Sequence, residues 1–163
     1  LTAVNDDPTN AGSLPSDLTV TEDLASNVDL SAVDFSDVDA GSSNLTVTLS
    51  TATGGQLTAS SSGGVTVGGT ATARTFTGSL ANLNTYFNTA SNITYLHITP
   101  HLNGNNADTI TVVINDNGNT GSGGGTASGS PWRSSHTSPS FCPIVAQSPR
   151  RSHTASHSRP SST

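Results

Sequence analysis

Short segments in which apolar and polar residues alternate recur along the first two thirds of the chain, and they constrain the fold more than any other feature. The clearest is residues 44–51 (NLTVTLST), where Leu45, Val47 and Leu49 alternate with polar residues, most of them threonine. A period of two is typical of a β-strand with one buried face, and β-branched residues favour strands. The same pattern predicts further strands at residues 17–22, 28–35, 65–67, 73–77, 93–99 and 109–115. Within residues 28–35 the alternation slips by one, which predicts a β-bulge.

One segment has helical spacing instead. Leu80, Leu83, Tyr86 and Phe87 recur at intervals of three and four residues, and Ser79 precedes them as a helix cap. The remaining predicted strands are separated by Gly-rich turns. This spacing indicates an antiparallel β-sandwich with one short helix, rather than alternating β and α units.

The composition changes abruptly after the last predicted strand. Residues 121–129 are rich in Gly and Ser, as in a flexible linker, and residues 130–163 are rich in Ser, Pro, His and Arg without any hydrophobic period. We expect this tail to be disordered. Its composition favours an out-of-frame or vector-derived extension, and the alternative is a basic interaction tail. Because the chain begins at Leu1 and contains no methionine, we interpret it as a fragment of a longer protein.

Charge is segregated along the sequence. All 11 Asp and Glu residues lie between Asp6 and Asp116, where Arg74 is the only Lys or Arg; the other four arginines follow Pro131. An acidic body without lysine argues against nucleic acid and anionic membranes as partners, and no apolar run is long enough to be inserted in a membrane. Cys142 is the only cysteine, so an internal disulfide is excluded.

Oxygen-bearing side chains form three clusters beside the predicted strands. The clusters are Asn5, Asp6 and Asp7 before the first strand, Asp37 and Asp39 after the second, and Asp116 and Asn117 after the last. In an antiparallel sandwich these three segments lie at the same end. Two carboxylates about 4 Å apart repel each other by about 4 kcal/mol at an effective dielectric constant near 20. Calcium relieves such repulsion because it takes six to eight oxygen ligands, so the sequence predicts a calcium site at this end.

Each part of this site also has a simpler interpretation. Acidic turns are common in loops without any metal, and Asp116 and Asn117 are equally well explained as turn formers before Gly118. Glu22 and Asp108 are predicted to lie at the opposite end, where they form a second and weaker calcium site only if another repeat follows. Without that repeat, we expect both side chains to be solvated.

Five sequence segments form a specific set: AVNDDPT at 3–9, LTVTED at 18–23, DVDAGSSNLTVTLS at 37–50, GSLANLN at 78–84 and NADTITVVINDNGNTGSGG at 106–124. Together they resemble the cadherin-like tandem repeats of large bacterial surface adhesins, including RTX-type proteins. The resemblance implies an immunoglobulin-like sandwich, an extracellular location on the bacterial surface, and calcium at the junctions between neighbouring repeats of one chain. It divides the sequence into an inter-repeat linker (1–9), a cadherin-like repeat (10–120) and the tail (121–163). In this family a final strand follows the NDNG segment, so the resemblance also predicts a sandwich that lacks its last edge strand.

These expectations lead to a non-enzymatic function. The chain is interpreted as a calcium-stiffened spacer for cell adhesion, which presents distal domains to an unknown cell-surface or glycan ligand. The alternative is a carbohydrate-binding β-sandwich module, which would need exposed aromatic rings on which sugars stack; Tyr86 and Tyr95 are the only Tyr or Trp residues before the tail. No nucleophile motif such as G-x-S-x-G occurs, so catalysis is not expected.

Overall fold

The computed structural model describes residues 5–21, 23–98, 104–118 and 140–147. Within these ranges the chain forms eleven strands and one helix. In chain order they are β1 (Thr9–Asn10), β2 (Leu18–Thr21), β3 (Ser26–Asn27), β4 (Phe35–Ser36), β5 (Asn44–Thr51), β6 (Gly55–Ala59), β7 (Thr66–Thr70), β8 (Ala73–Ser79), α1 (Leu80–Phe87), β9 (Ile93–His97), β10 (Gly104–Asn115) and β11 (Ser140–Gln147).

The strands form two main sheets and a short ribbon. The larger sheet has six strands in the order β2-β11-β10-β5-β8-β7, the smaller has three in the order β3-β9-β6, and β1 pairs with β4. Among the described strands every pairing is antiparallel except the parallel pairing of β11 with β2. The prediction of an all-β sandwich with one short helix is therefore confirmed.

Alternate residues of the strands fill a single core. Leu45, Val47 and Leu49 of β5 are fully buried, and the residues between them are half-buried on the other face. They belong to the same cluster as Leu57 of β6 and Tyr95 of β9, which lie in the smaller sheet. The two-residue period identified these inward-facing positions correctly.

Helix α1 begins where the Ser79 cap predicts. The Ser79 hydroxyl accepts a hydrogen bond from the main-chain N–H of Asn82 at 3.4 Å. The helix buries Leu83, Tyr86 and Phe87, and the Phe87 ring meets that of Phe76 edge-on, with centroids 5.1 Å apart. In the part of the chain described here, no helix is long and apolar enough to cross a membrane.

Residues 28–35 do not form the single bulged strand that the sequence predicts. Strand β3 ends at Asn27, β4 begins at Phe35, and a turn lies between them, where the N–H of Val33 donates to the carbonyl of Leu30 at 2.9 Å. The Asp29 side chain accepts from the N–H of Ser31 at 3.0 Å and holds this turn. The slip in the alternation therefore marks a change of direction, after which the apolar side chains again point into the core.

The sequence predicts that the last edge strand is missing and that the tail is disordered, whereas residues 140–147 form a strand in the structure. These residues form β11, which pairs with β10 from Asp108 to Val112 and with β2 from Leu18 to Thr21. An open strand edge presents unpaired N–H and C=O groups, and an extended segment satisfies them. The apolar residues Cys142, Ile144 and Ala146 recur at every second position, a pattern that Pro143 obscures in the sequence.

Candidate functional site

Strand direction brings the three predicted oxygen clusters to one end of the sandwich. Strand β10 ends at Asn115, which pairs with Thr46 near the beginning of β5. On the linker side, the main-chain N–H of Asp6 donates to the Asp39 side chain at 3.0 Å. We call the group formed by Asn5, Asp6, Asp37, Asp39 and Asp116 the acidic pole.

The loop after β4 presents two carboxylates through a tight turn. One oxygen of Asp37, Oδ1, accepts hydrogen bonds from the main-chain N–H groups of Asp39 at 3.1 Å and Ala40 at 2.9 Å. Gly41 then takes a positive φ of 54°, which glycine adopts without strain. The second oxygen of Asp37, Oδ2, is buried and has no hydrogen-bond partner.

Asn5 connects the linker to the end of β10. Its Nδ2 donates to Asp116 Oδ2 at 2.5 Å, and the other oxygen of Asp116 accepts from the N–H of Gly118 at 3.0 Å. Because Nδ2 is committed to Asp116, the amide oxygen of Asn5 points away from that carboxylate. Asn5 Oδ1 is buried and has no hydrogen-bond partner. The acidic pole therefore contains at least two buried acceptors without donors, Asn5 Oδ1 and Asp37 Oδ2.

The surroundings of Asp37 disfavour its ionised form. Burial, followed by the neighbouring carboxyl group of Asp39, raises the pKa of Asp37 above its ordinary value. A nearby cation would act in the opposite direction and favour the ionised form. Asp7 and Asp37 both line a surface pocket at this end, together with Asp6 and Val38.

The side chain of Asn117 is bound to β5. Its Nδ2 donates to the carbonyl of Asn44 at 2.9 Å and lies 3.2 Å from the hydroxyl of Thr46. Its backbone has a φ of 59°, a left-handed conformation that Asn tolerates better than most residues. These contacts favour the interpretation of Asn117 as a turn former.

The opposite end of the sandwich has a different kind of carboxylate site. Asp108 is 1 % exposed, so the expectation that it is solvated is wrong. Its carboxylate accepts hydrogen bonds from the main-chain N–H groups of Ala52, Thr53, Gly55 and Thr109 and from the Tyr95 hydroxyl, at 2.7–3.1 Å. Burial alone would raise the pKa of Asp108, but these hydrogen bonds outweigh it and hold the pKa below its ordinary value. A carboxylate has about four lone-pair sites, so Asp108 is saturated. Glu22, its predicted partner, lies outside the described residues.

Sequence reasoning missed a side chain that supports the acidic pole from the helix. Asn84 Oδ1 accepts from the N–H of Phe35 at 2.9 Å, while its Nδ2 donates to the Phe35 carbonyl at 2.8 Å and to Asp34 Oδ1 at 3.1 Å. Asn84 thereby fixes β4 just before Asp37. The only sequence signal was a polar residue one position after Leu83 in a helix that packs on the core.

The donor set at the acidic pole limits which metal it suits. Over the described ranges, no group of three or more His, Cys, Asp or Glu side chains could hold a metal ion. A hard cation there would have to complete its shell with amide, main-chain or water oxygens, or with ligands from a neighbouring repeat. Calcium accepts all of these oxygen types, whereas zinc prefers nitrogen and sulfur.

The fold and this site together define an all-β sandwich with an oxygen-rich pole next to its leading linker. No protein-family model, curated protein or solved structure matches the chain. The assignment of a function therefore depends on the geometry of the acidic pole and on the sequence motifs.

Proposed function

We propose that the chain is a non-enzymatic, calcium-stiffened repeat of an extracellular bacterial adhesin, with a cadherin-like fold. One observation carries this proposal: two acceptor oxygens, Asn5 Oδ1 and Asp37 Oδ2, are buried at the same end of the sandwich without hydrogen-bond partners. Burying a polar group without a partner costs about 1–3 kcal/mol. Oxygens in such a position are suitable ligands for a cation, because a cation provides the positive charge that a hydrogen-bond donor would otherwise provide.

The residues of the acidic pole fit calcium. Asn5, Asp37 and Asp39 would hold the ion, with Asp116 positioning Asn5 and with Asp6 and Asp7 adding carboxylates from the linker. Calcium would neutralise these side chains and join the linker to the loop after β4. Its six to eight ligands exceed the side chains we can assign, so we expect the preceding repeat or water to supply the rest.

A bound ion at this position would fix the angle at which the linker enters the sandwich. In a tandem array each linker would then be stiff, and the string of repeats would become a rod that presents distal binding domains. Extracellular modules bind calcium with a Kd of roughly 10⁻⁴–10⁻³ M, so the rod would form outside the cell. The partners in this scheme are the neighbouring repeats, and distal domains of the longer protein would bind the unknown cell-surface or glycan ligand.

The burial of the tyrosines weighs against the carbohydrate-binding alternative. Tyr86 and Tyr95 are 3 % and 2 % exposed. Their hydroxyl groups donate to the carbonyl of Ser60 and to Asp108, both at 2.8 Å. Neither ring can serve as a stacking platform for a sugar.

The polar cluster near His97 does not have the arrangement of a nucleophile and its base. The Thr53 hydroxyl donates to the carbonyl of Ala107 at 3.1 Å, and it lies 3.4 Å from His97 Nε2. The main-chain N–H of Thr53 donates to the Asp108 carboxylate at 2.8 Å. These contacts are suited to holding a turn, in keeping with a non-enzymatic function.

Calcium titration of the full chain, followed by thermal unfolding, tests the proposal. We expect calcium at millimolar concentration to raise the Tm, and the same concentration of magnesium to raise it much less because magnesium demands a smaller, octahedral shell. Asp37→Asn combined with Asp39→Asn should abolish the gain. Asp23→Asn is the matched control, because it removes one exposed carboxylate outside the acidic pole and should leave the gain intact. Identical unfolding curves in calcium and in EDTA would overturn the assignment.

A further inference from the structure

Among the strands that the structure describes, β11 alone joins β2 to the rest of the larger sheet. Among the described residues β2 pairs with β11 alone, over Leu18–Thr21, while the other side of β11 pairs with β10. Removing β11 would leave a gap between β2 and β10 that is one strand wide. We call this gap, bounded by residues 18–21 of β2 and 108–112 of β10, the strand slot.

Both walls of the strand slot belong to the hydrophobic core. Leu18 and Val20 of β2 and Ile110 and Val112 of β10 are buried. These side chains hold the two walls in the sandwich. The main-chain groups that face the slot are then positioned to pair with an extended segment, the recognition mode known as strand addition.

The register defines what an occupant must look like. Cys142 lies opposite Ile110, Ile144 opposite Leu18, and Ala146 opposite Val20. Directly opposed residues of neighbouring strands lie on the same face of a sheet, so positions 142, 144 and 146 share a face with Ile110, Leu18 and Val20. An occupant in this register is an eight-residue strand, and Cys142, Ile144 and Ala146 place apolar residue types at three alternate positions.

The present occupant is distant from β10 along the chain. Strand β10 ends at Asn115 and β11 begins at Ser140, so residues 116–139 connect them, whereas ordinary hairpin loops have two to five residues. The effective concentration of a strand at its own slot falls as the connecting segment becomes longer. An identical strand from another molecule makes the same backbone pairs and competes with it.

Charge favours such an encounter between molecules. Residues 1–118 carry 11 acidic side chains and one arginine, a net charge of −10, and residues 119–163 carry four arginines and no acid, a net charge of +4; together they give the −6 of the whole chain. Opposite charges on two surfaces steer their association. The segment that contains β11 is thus attracted to the body of a second copy as well as to its own.

We propose that the strand slot is an acceptor site for residues 140–147 of a second copy of this chain. Two molecules exchange β11, each inserting it parallel to β2 and antiparallel to β10 of the other. The exchange uses backbone pairing and apolar register positions. It does not depend on the acidic pole or on calcium.

Disulfide trapping at one opposed pair tests this proposal. Thr111 and Phe141 are directly opposite in the β10–β11 ladder, and opposed residues of antiparallel strands have Cα atoms about 4.5–5.5 Å apart, within the range that a disulfide bridges. One full-length chain carries Thr111→Cys with Cys142→Ala, and a second carries Phe141→Cys with Cys142→Ala. The two are unfolded, mixed, refolded together and oxidised.

We expect a disulfide-linked heterodimer on a non-reducing gel, in a fraction that rises with protein concentration. A third chain with Thr111→Cys, Phe141→Cys and Cys142→Ala should close the same bond within one molecule when diluted. A control chain carries Thr58→Cys with Cys142→Ala, and Thr58 is an exposed residue of the smaller sheet. Mixed with the Phe141→Cys chain, it measures the amount of disulfide formed by random collision. Closure within one molecule without a heterodimer above that background would overturn the exchange. Failure of the third chain to close would overturn the slot itself.

Discussion

Replacing Asp108 should destabilise the sandwich more than replacing any exposed acid. Asp108→Ala removes the acceptor shared by Thr53, Gly55 and Tyr95. A buried donor that loses its acceptor costs about 1–3 kcal/mol. Ala52 and Thr53 are exposed, so water can reach some of the donors that lose their acceptor. The expected loss of unfolding free energy therefore lies toward the lower end of the sum over the three donors, about 3–5 kcal/mol. Asp108→Asn keeps one acceptor oxygen and should cost less than alanine, about 2–4 kcal/mol.

Urea unfolding followed by circular dichroism measures these losses. The midpoint should fall while the slope with denaturant stays the same, because the surface exposed on unfolding does not change. Asp29→Asn is the control, because Asp29 is an exposed turn residue and the substituted amide keeps a side-chain acceptor for Ser31. This substitution should change the free energy of unfolding by no more than about 0.5 kcal/mol. If Asp108→Asn unfolds at the same urea concentration as the wild-type chain, the saturated carboxylate is not what holds the turn after β5.

The same carboxylate predicts how stability depends on pH. Hydrogen bonds hold the pKa of folded Asp108 below its ordinary value, and an unfolded Asp titrates near about 3.9. The folded state therefore gains stability from Asp108 above that pH, and it loses this stability as the pH falls through the lower folded pKa. Asp108→Asn should flatten the acid limb of a plot of unfolding free energy against pH. An acid limb identical to that of the wild-type chain would contradict the shift.

Two further substitutions test the packing that positions the two ends. Gly55→Ala should lower the free energy of unfolding by about 1–3 kcal/mol or more, because a Cβ there would overlap the Tyr95 ring. Thermal unfolding measures this loss, with Thr58→Ala on an exposed residue as the control. Equal Tm values for the two variants would refute the close approach. Asn84→Ala should cost about 2–3 kcal/mol through its lost bonds to Phe35. Asn84→Ala should also reduce any calcium-dependent rise in Tm. An unchanged rise would show that Asn84 does not support the acidic pole.

The sequence predicted the parts of the fold that depend on local periodicity. The alternation in residues 44–51 identified β5 and its buried face, and the Ser79 cap with Leu83 and Phe87 identified α1. These signals are local because a strand or helix in contact with a core must present apolar residues at its own period. Strand direction also followed from the order of the strands, so the gathering of Asn5 and Asp39 at one end could be anticipated.

Features that depend on long-range pairing could not be read in this way. Local bonds close the turn within residues 28–35, but the carbonyls of Ala32 and Asp34 accept from the distant N–H groups of Ser13 and Ala11. The strand at 140–147 pairs with β2 and β10, and Pro143 hides its alternation in the sequence. The burial of Asp108 was missed for the same reason. Most of its donors come from residues 52–55 and from Tyr95, and the residues next to Asp108 in the sequence give no signal that predicts these contacts.

The two ends of the sandwich solve the same electrostatic problem in opposite ways. At one end donors are in excess of what Asp108 can accept: five N–H and O–H groups converge on its carboxylate, so its charge is stabilised without any ion. At the other end acceptors are in excess, and burial raises the pKa of Asp37 while Asn5 Oδ1 and Asp37 Oδ2 lack donors. Because both ends carry aspartate, the presence of acidic residues alone cannot distinguish them. The difference in donor supply is therefore the physical reason to look for a cation at the acidic pole and not at Asp108.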